Sequence, residues 1–305
     1  MEKILVFGHR SPDTDSICSC LVMADLQTKL RREEVIPCRL GEINEETQYA
    51  LNYFKVETPK FIEKVEEGQR VILVDHNEFS QSVEGIENAK IDTVVDHHRI
   101  NNFQTSEPLF YFAQPVGCTS TLLFELYKLN NIEIEPQIAG LMLSAIISDT
   151  LLLKSPTTTI KDKKAIEDLA KIANVDVENY GLEMLKAGTN LDKYTEEELI
   201  RLDAKKVEKE EIKYVIAQVN TVSIPEVLKR KEKIEMEINK EILAKGLSLF
   251  VFVITDIVNS NSEAIVLGDR ADAISKVYEL KDNVAIMPGV VSRKKQVLPL
   301  VEKNI

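Results

Sequence analysis

The chain has 305 residues, of which 44% are hydrophobic and 29% charged, and its formal net charge at pH 7 is −12. This composition excludes a disordered chain, and the length allows two domains with separate cores. The acidic balance argues against binding of nucleic acid through its phosphate backbone, which usually needs a broad basic face. No uncharged apolar stretch approaches the roughly 18 to 20 residues of a membrane span, so we expect a cytoplasmic protein without a membrane segment.

The first part of the chain alternates short apolar runs with helical segments. The predicted elements are a strand near residues 3–8, a helix after Asp15, a strand near 35–39, a helix near 45–54, and strands ending at Val74 and Val95. Strands that are separated by helical crossovers pair in parallel, with right-handed connections. The N-terminal part therefore predicts an α/β fold built on a parallel sheet.

From about Gly117 to Ala173 the pattern becomes mainly helical, and Asp149 stands at the end of a strongly apolar helix. An aspartate between such apolar neighbours is expected to be half buried, where an unpaired charge is costly. A bound cation would satisfy this carboxylate. The alternative is a helix-end residue that is hydrogen-bonded to the local backbone.

A domain boundary is predicted where the helical periodicity breaks at Gly188, because Thr195 and Glu198 then offer a capping box for a new helix. The predicted division is an N-terminal domain of residues 1–188, a flexible linker of residues 189–194 and a C-terminal domain of residues 195–305.

The C-terminal domain is predicted to be a smaller, mixed α/β unit. Its expected elements are a strand near residues 212–220, a charged helix near 225–245, strands in LSLFVFVIT and EAIVLG, and a strand pattern in VSRKKQVLPL. The basic run Arg293-Lys294-Lys295 interrupts this last pattern. Surface charge on an edge strand is the commonest reason for such a run, and a clamp for an anion is the alternative.

All four histidines lie within the first hundred residues, each in a run with aspartate. The runs are GHRSPDTDS with His9, Asp13 and Asp15, VDHNE with Asp75 and His76, and VDHHR with Asp96, His97 and His98. Each run follows an apolar stretch, so these side chains should converge at the carboxyl ends of parallel strands, where small ligands bind. A lone histidine in such a place is more often a turn residue. So many converging carboxylates would, however, repel one another without a cation, and a metal site is therefore predicted.

The cysteines Cys18, Cys20, Cys38 and Cys118 show no CxxC pairing, which is typical of reduced thiols. A zinc site that uses Cys18 and Cys20 is the alternative. Neighbours two apart on a helix point to different sides, which argues against it.

The runs GHRSPDTDS, VDHNE, VDHHR and SDT and the C-terminal SRKKQ occur in this order in family II inorganic pyrophosphatases, which the chain resembles over essentially its whole length. These enzymes belong to the DHH phosphoesterase superfamily, named after the triplet that is Asp96-His97-His98 here. The resemblance implies a pyrophosphate-hydrolysing enzyme with a DHH domain, a C-terminal substrate-binding domain of the second DHH-associated type, and an active site between them. It also implies a homodimer formed through the N-terminal domain.

The resemblance further implies two neighbouring manganese or cobalt sites in each subunit. One site would be formed by His9, Asp13, Asp75 and Asp149, and the other by Asp15, Asp75, His97 and Asp149, so that Asp75 and Asp149 bridge. A mixed set of imidazole and carboxylate ligands suits Mn²⁺ or Co²⁺, whereas structural zinc is favoured by sites rich in thiolates. Two ions about 3.5 to 4 Å apart can share a water and convert it into the hydroxide nucleophile.

On the substrate side, the resemblance implies that His98, Lys205, Arg293 and Lys294 hold pyrophosphate and act in catalysis, with Mg²⁺ entering alongside the substrate. Such groups would neutralise the charge that develops on the departing phosphate, and a protonated side chain could supply a proton to it.

Three neighbours of these residues are candidates for orienting them. His76 and Asn77 would orient Asp75, with local turn hydrogen bonding as an equal alternative, and Asp96 would support His97 or His98.

Three other functions compete with pyrophosphate hydrolysis. An exopolyphosphatase would resemble this chain most closely in its second domain. Nuclease relatives carry a glycine-rich GGGH-type motif there, whereas this chain has no Gly-Gly pair after the linker and no histidine after His98. A non-catalytic, metal-dependent phosphate sensor would use the same ligands without turnover.

Overall fold

The computed structural model describes residues 3–31, 33–209 and 212–305. Residues 1, 2, 32, 210 and 211 lie outside the described residues. The chain divides into two compact units, Met1–Gly188 and Thr189–Ile305, and each unit contains both helices and strands. In the described part of the chain, no helix has the length and apolar character to cross a membrane.

The N-terminal unit is built on a parallel sheet, as predicted. Its described strands are β1 (Ile4–Phe7), β2 (Val35–Arg39), β3 (Lys60–Phe61), β4 (Arg70–Val74), β5 (Lys90–Asp96) and β6 (Phe110–Ala113). They are ordered β3-β2-β1-β4-β5-β6, and every neighbouring pair is parallel. The strand order reverses beside β1, so a crevice is expected at the carboxyl ends of β1 and β4.

The two faces of this sheet are covered differently. The described helices are α1 (Thr14–Arg31), α2 (Glu45–Phe54), α3 (Thr119–Leu129), α4 (Pro136–Thr150), α5 (Ile160–Ala173) and α6 (Val177–Gly188). All six contribute buried side chains to one core, which also contains Ile72 and Val74 of β4. Val71 and Leu73 point to the opposite face and pack in a second core under loops and short 3₁₀ turns.

A β-bulge sets the alignment of β5 with β4. Val71 is paired with Ile91, but Ile72 is paired with Thr93, so Asp92 is an extra residue in β5. The Asp92 carboxylate accepts hydrogen bonds from Arg31 at 3.0 Å and from Arg70 at 2.7 Å. Beyond the bulge, Val74 is paired with Val95, so the residues that follow the two strands lie side by side.

The C-terminal unit has a mixed sheet, as predicted. Its described elements are α7 (Glu196–Leu199), β7 (Ala204–Lys209), β8 (Ile212–Thr221), α8 (Ile224–Leu228), α9 (Lys231–Lys245), β9 (Leu249–Asp256), β10 (Asn261–Leu267), α10 (Asp272–Ser275), β11 (Leu280–Lys281), β12 (Val284–Met287) and α11 (Leu298–Asn304). The strand order is β11-β12-β10-β9-β8-β7, in which β8 and β9 are parallel and the other pairs antiparallel. Separate cores cover its two faces.

Two predictions for this unit are wrong. The segment VSRKKQVLPL is helical rather than extended, because Ser292 accepts a hydrogen bond from the Lys295 N–H and starts a π-helical turn, Arg293–Val297, that leads into α11. Val297 and Val301, four residues apart, are buried, which is helical spacing. The predicted helix at 225–245 is divided into α8 and α9.

Candidate metal centre

The polar runs that follow β1, β4 and β5 meet at one edge of the N-terminal sheet. Three overlapping groups have ligand atoms within 4.8 Å of one another: His9, Asp13 and Asp75; Asp75, His97 and His98; and Asp15, His97 and Asp149. Asp15 belongs to the first turn of α1 and Asp149 to the last turn of α4. The structure therefore brings together all six of the residues that were predicted as metal ligands.

Asp75 lies at the centre of these groups. Its Oδ2 is 3.4 Å from His9 Nε2 and its Oδ1 is 3.4 Å from His97 Nε2. The residue has a φ of 59° and its N–H donates to the carbonyl of Val95. Among the residues that the structure describes, no group donates a hydrogen bond to the buried Oδ2. A buried carboxylate oxygen without a donor is costly, and a cation would satisfy it.

Asp15 is fully buried and is held by the start of α3. Its Oδ2 accepts from the Thr119 N–H at 2.7 Å, and its Oδ1 accepts from the Ser120 N–H at 3.3 Å and the Ser19 hydroxyl at 2.6 Å. The first N–H groups of a helix favour negative charge nearby. Thr119 also donates to Asp75 Oδ1 at 3.3 Å. This role of α3 was not predicted from the sequence, because the run GCTS before a helical pattern indicates the start of a helix but not the carboxylate that it contacts.

Asp149 is partly buried, as predicted, with 18% of its side chain exposed, and its Oδ2 is 3.7 Å from His97 Nε2. Leu151, Leu152 and Leu153 all have positive φ, so the chain leaves the helical path directly after Thr150. Within the described chain, Asp149 shares a ligand group with Asp15 and His97 but none with His9 and Asp13.

Electrostatics at this edge reflect an excess of buried carboxylates. Burial and the charge of Asp75 raise the pKa of Asp15 to about 6, and burial with the charges of Asp15 and Asp75 raises the pKa of Asp149 well above its usual range. Burial also acts to raise the pKa of Asp75, but the imidazole groups of His9 and His97, each 3.4 Å from one of its oxygens, outweigh it and lower this pKa. Like charges that cannot all ionise without compensation are a reason to expect a cation.

His9 and His97 supply positive charge that partly balances these carboxylates. Burial acts to lower the pKa of His9, but the carboxylates of Asp13 and Asp75, 3.5 and 3.4 Å from Nε2, outweigh it and raise this pKa to about 10. For His97, burial is outweighed by the Asp75 carboxylate, 3.4 Å from Nε2, and by the charge of Asp15, and the pKa is raised to about 9. When no metal is bound, both rings are therefore positively charged imidazolium groups at neutral pH. A bound divalent cation could replace their positive charge.

Backbone and side-chain hydrogen bonds fix the orientation of the histidines. His97 Nδ1 is 3.1 Å from the carbonyl of Val116, which leaves Nε2 directed at the carboxylates. His98 Nδ1 is 2.9 Å from Asp96 Oδ1, so Asp96 supports His98. His76 uses both ring nitrogens locally, on the carbonyl of Val74 and on Ser82, as the turn alternative predicts.

Asn77 orients Asp96 rather than Asp75. Its Nδ2 donates to Asp96 Oδ2 at 2.6 Å and to the carbonyl of Arg99 at 2.9 Å, while its Oδ1 accepts from the Asn101 N–H. None of these contacts reaches Asp75, so they do not include the predicted orientation of Asp75 by Asn77.

The cysteines take no part in this centre. All four are buried and free, and none belongs to a ligand group in the part of the chain that the structure describes. Cys20 Sγ donates to the carbonyls of Val6 and Cys38, so it is engaged in the core.

The predicted anion-binding residues of the C-terminal unit lie around the start of the π-helical turn. A concavity of about 330 Å³ is lined by Asp203, Gln218, Asn220, Val291, Ser292, Arg293 and Lys294. The Arg293 guanidinium donates to both oxygens of Asp203, at 2.8 and 3.3 Å, and its backbone N–H donates to Gln218 at 2.8 Å. Lys205 does not line this concavity. It is an exposed residue of β7, paired with Ile216 of β8.

Comparison with known proteins agrees with the two units. The DHH family, N-terminal domain, matches residues 3–146, and the DHHA2 domain matches residues 182–304. The manganese-dependent inorganic pyrophosphatase of Bacillus subtilis is 55% identical over 304 residues, covering 99% of this chain and 98% of that protein. This chain belongs to the manganese-dependent, or family II, inorganic pyrophosphatases. The family is one of hydrolases within the DHH phosphoesterases.

Three further comparisons extend this result. A probable manganese-dependent inorganic pyrophosphatase of Bacillus velezensis is 55% identical over 308 residues, covering 100% of this chain and 99% of that protein. A crystal structure from Methanococcus jannaschii, described as that of a putative family II inorganic pyrophosphatase, has a TM-score of 0.66 and is 41% identical, and the match covers 99% of both chains. An exopolyphosphatase-related protein from Bacteroides fragilis, with a TM-score of 0.51, 14% identity and coverage of 99% of this chain and 92% of that one, shares the fold.

Proposed function

We propose that this protein hydrolyses inorganic pyrophosphate to two phosphates at the candidate metal centre. The observation that carries the proposal is the position of Asp75, which directs one carboxylate oxygen at His9 and the other at His97. A carboxylate placed in this way is suited to bridge two cations. The names of the close relatives, which specify manganese and pyrophosphate, support the same conclusion.

The proposal places two Mn²⁺ or Co²⁺ ions in each subunit. His9, Asp13 and Asp75 would hold one ion, and Asp15, Asp75, His97 and Asp149 the other, with Asp149 proposed as a second bridge. The donor set fits, since it combines imidazole nitrogens with carboxylates and includes a buried oxygen of Asp75 that lacks a donor among the described residues. When bound, such a pair of ions lowers the pKa of a shared water towards neutrality and provides the hydroxide nucleophile.

The chain's own residues would bind and orient the substrate. His98, with Nδ1 engaged by Asp96, keeps Nε2 for a phosphate oxygen. Arg293, Lys294 and Lys205 would neutralise the negative charge that develops on the departing phosphate. The pyrophosphate substrate would enter together with Mg²⁺. Because Arg293 is already paired with Asp203, the incoming phosphate would compete with that carboxylate for the guanidinium group.

A homodimer formed through the N-terminal domain and a cytoplasmic location complete the proposal. Both derive from the sequence and its resemblance to the family. Nucleic acid is not proposed as a partner, because the chain carries a net charge of −12.

The test is phosphate release by metal-stripped protein to which Mn²⁺, Co²⁺, Zn²⁺ or Mg²⁺ is restored in turn. Rapid release from pyrophosphate with Mn²⁺ or Co²⁺ is expected. Tripolyphosphate and a short oligoribonucleotide serve as competing substrates, and preference for either would move the function to another branch of the superfamily. Metal-dependent binding of pyrophosphate without release would identify a sensor.

A further inference from the structure

The first turn of α2 is hydrogen-bonded to both segments that carry the carboxylates of the metal centre. Glu46 Oε1 accepts a hydrogen bond from the Thr14 hydroxyl at 2.7 Å and another from the Ser148 hydroxyl. Thr14 stands between Asp13 and Asp15, and Ser148 directly precedes Asp149. One carboxylate oxygen therefore joins the start of α1 to the end of α4.

The Thr14 hydroxyl takes part in a second contact that supports this connection. It lies 3.1 Å from the hydroxyl of Thr47, and both residues are fully buried. Because Thr14 has a single hydroxyl hydrogen, which it donates to Glu46, Thr47 is the donor in this second contact. The Thr47 N–H in turn donates to the side chain of Asn44, the N-cap of α2, at 2.7 Å. Glu46 thus projects from a helix start that is itself held in place.

Gly188, the last residue of α6, leaves the space that Glu46 occupies. A Cβ at Gly188 would lie 2.8 Å from Glu46 Cβ and 2.9 Å from Glu46 Oε2. Real Cβ contacts are not this short, and Glu46 Cβ cannot move away without moving the carboxylate. A side chain at position 188 would therefore displace the group that connects Thr14 and Ser148.

We propose that Glu46 is a positioning residue that fixes the separation between the segment Asp13–Asp15 and Asp149, and that Gly188 preserves this position. The inference rests on the proposed function, because it assigns the role of Glu46 with respect to the ions held at that centre. Glu46 is not a member of the ligand groups found among the described residues, so it acts through Thr14 and Ser148.

The physical reason is that the ligands come from separate elements. Asp15 lies in the first turn of α1 and Asp149 in the last turn of α4, and Glu46 accepts a hydrogen bond from the residue that directly precedes each of them. A metal site has to present its ligands within about 0.5 Å of the bound geometry, so outer hydrogen bonds contribute to affinity. Loss of such a bond typically weakens metal binding about 10- to 100-fold.

The experiment is calorimetric titration of the metal-free, full-length protein with Mn²⁺. Glu46→Ala is expected to weaken Mn²⁺ binding by about 10- to 100-fold, whereas Glu46→Gln, whose amide oxygen still accepts both hydroxyl hydrogens, should retain near wild-type affinity. Glu57→Ala, at an exposed position after α2, is the matched control and should bind Mn²⁺ as the wild type does. Circular dichroism establishes that each variant is folded at the titration temperature.

A double-mutant comparison tests the role of Gly188. Gly188→Ala should weaken Mn²⁺ binding in the wild-type background and have no further effect in the Glu46→Ala background, because both changes act on one group. If Glu46→Ala does not fold, Ser148→Ala and Ser148→Thr provide the same comparison, since only threonine keeps a hydroxyl. Weaker Mn²⁺ binding by Ser148→Ala than by Ser148→Thr is then expected.

The inference is overturned if folded Glu46→Ala binds Mn²⁺ as tightly as the wild type, or if Glu46→Gln loses as much affinity as Glu46→Ala. Equal affinity of the two Ser148 variants would overturn it as well. These results differ from failure of the proposed function, in which the wild-type protein itself would neither bind Mn²⁺ nor release phosphate from pyrophosphate.

Discussion

Asp96 holds His98 through two hydrogen bonds to the same carboxylate oxygen, one from the backbone N–H at 3.0 Å and one from Nδ1 at 2.9 Å. The hydrogen bond from Nδ1 to Asp96 raises the pKa of His98, although burial opposes it. The ring is thereby fixed in orientation through Nδ1, which leaves Nε2 for the proposed contact with substrate.

Replacement of Asp96 by asparagine should lower kcat/KM for pyrophosphate by about 10- to 100-fold. The carboxylate charge that favours protonated His98 is lost, and the new amide group would face the Asn77 Nδ2 donor at Oδ2. Steady-state kinetics with Mn²⁺ measure the effect, and Asp168→Asn, on the surface of α5, is the control. Unchanged metal affinity and unchanged rate in Asp96→Asn would remove the supporting role of Asp96.

Mn²⁺ binding should release protons from His9 and His97. Both rings are protonated at neutral pH in the metal-free protein, with pKa values raised to about 10 and about 9, and a ring must be deprotonated to coordinate a metal. Mn²⁺ affinity should consequently increase with pH up to this range. Calorimetric titrations in buffers of different ionisation enthalpy count the protons, and binding heats that do not depend on the buffer would contradict the prediction.

The same two histidines predict a pH dependence of the metal-free protein's stability. A group whose pKa is raised by folding stabilises the folded state fully below its unfolded pKa of 6.5 and loses this contribution as the pH rises through the folded pKa. The contribution of His9 and His97 to the free energy of unfolding should thus disappear between pH 6.5 and about 10. Urea unfolding of the wild type and of His97→Gln isolates the part that His97 contributes, which should disappear between pH 6.5 and about 9, and parallel pH profiles of the two proteins would argue against it.

Neutral substitution of Arg293 should reduce kcat/KM for pyrophosphate roughly 100-fold and leave Mn²⁺ affinity unchanged. Arg293→Ala removes a cation and also leaves the Asp203 carboxylate without the guanidinium that it now pairs with. Lys295→Ala is a matched control, since it removes the same charge from the same turn at an exposed residue that does not line the concavity. Equal kinetics of the two variants would exclude Arg293 from substrate binding.

Gly140→Ala should destabilise the N-terminal unit by about 1 to 3 kcal/mol through overpacking. Gly140 lies in the buried helix α4, and a Cβ there would be 2.2 Å from the ring of Phe54. The free energy of unfolding in urea measures the cost. In a Phe54→Ala background the ring is absent, so the same substitution should cost much less, and an equal cost in both backgrounds would show that Phe54 is not the cause.

The sequence predicted the first domain well because its signals are local and agree with one another. Apolar runs that end at Val74 and Val95, each followed by aspartate and histidine, correspond to buried parallel strands whose ends lie side by side. The convergence of the three runs with histidine and aspartate could be predicted for the same reason, since parallel strands present their carboxyl ends at one edge. The individual ligands were predicted from the resemblance to the family.

The features that could not be predicted from the sequence depend on contacts between residues that are far apart in the chain. Nothing near Thr119 or Glu46 in the sequence indicates that one donates to Asp15 and the other accepts from Ser148, 102 residues away. The basic run at Arg293 was assigned to a strand because valines and leucine flank it. Those apolar residues instead follow helical spacing, which is hard to distinguish from alternation over so short a segment.

The extra residue in β5 shifts the alternation of the strand, so that each later residue points to the opposite face of the sheet from the one that its spacing from Ile91 indicates. Ile91 and Val94 are three apart yet pack in the same core, while Val95 packs on the opposite face, which a regular alternation counted from Ile91 would not allow. Without Asp92, Ile91 and Thr93 would be consecutive and would pair with the consecutive Val71 and Ile72, so Val94, Val95 and the histidine pair would keep their positions beside β4. The bulge therefore lets the chain between the VDHNE and VDHHR runs carry one more residue than the ladder needs, and the carboxylate of that residue is joined to Arg31 and Arg70.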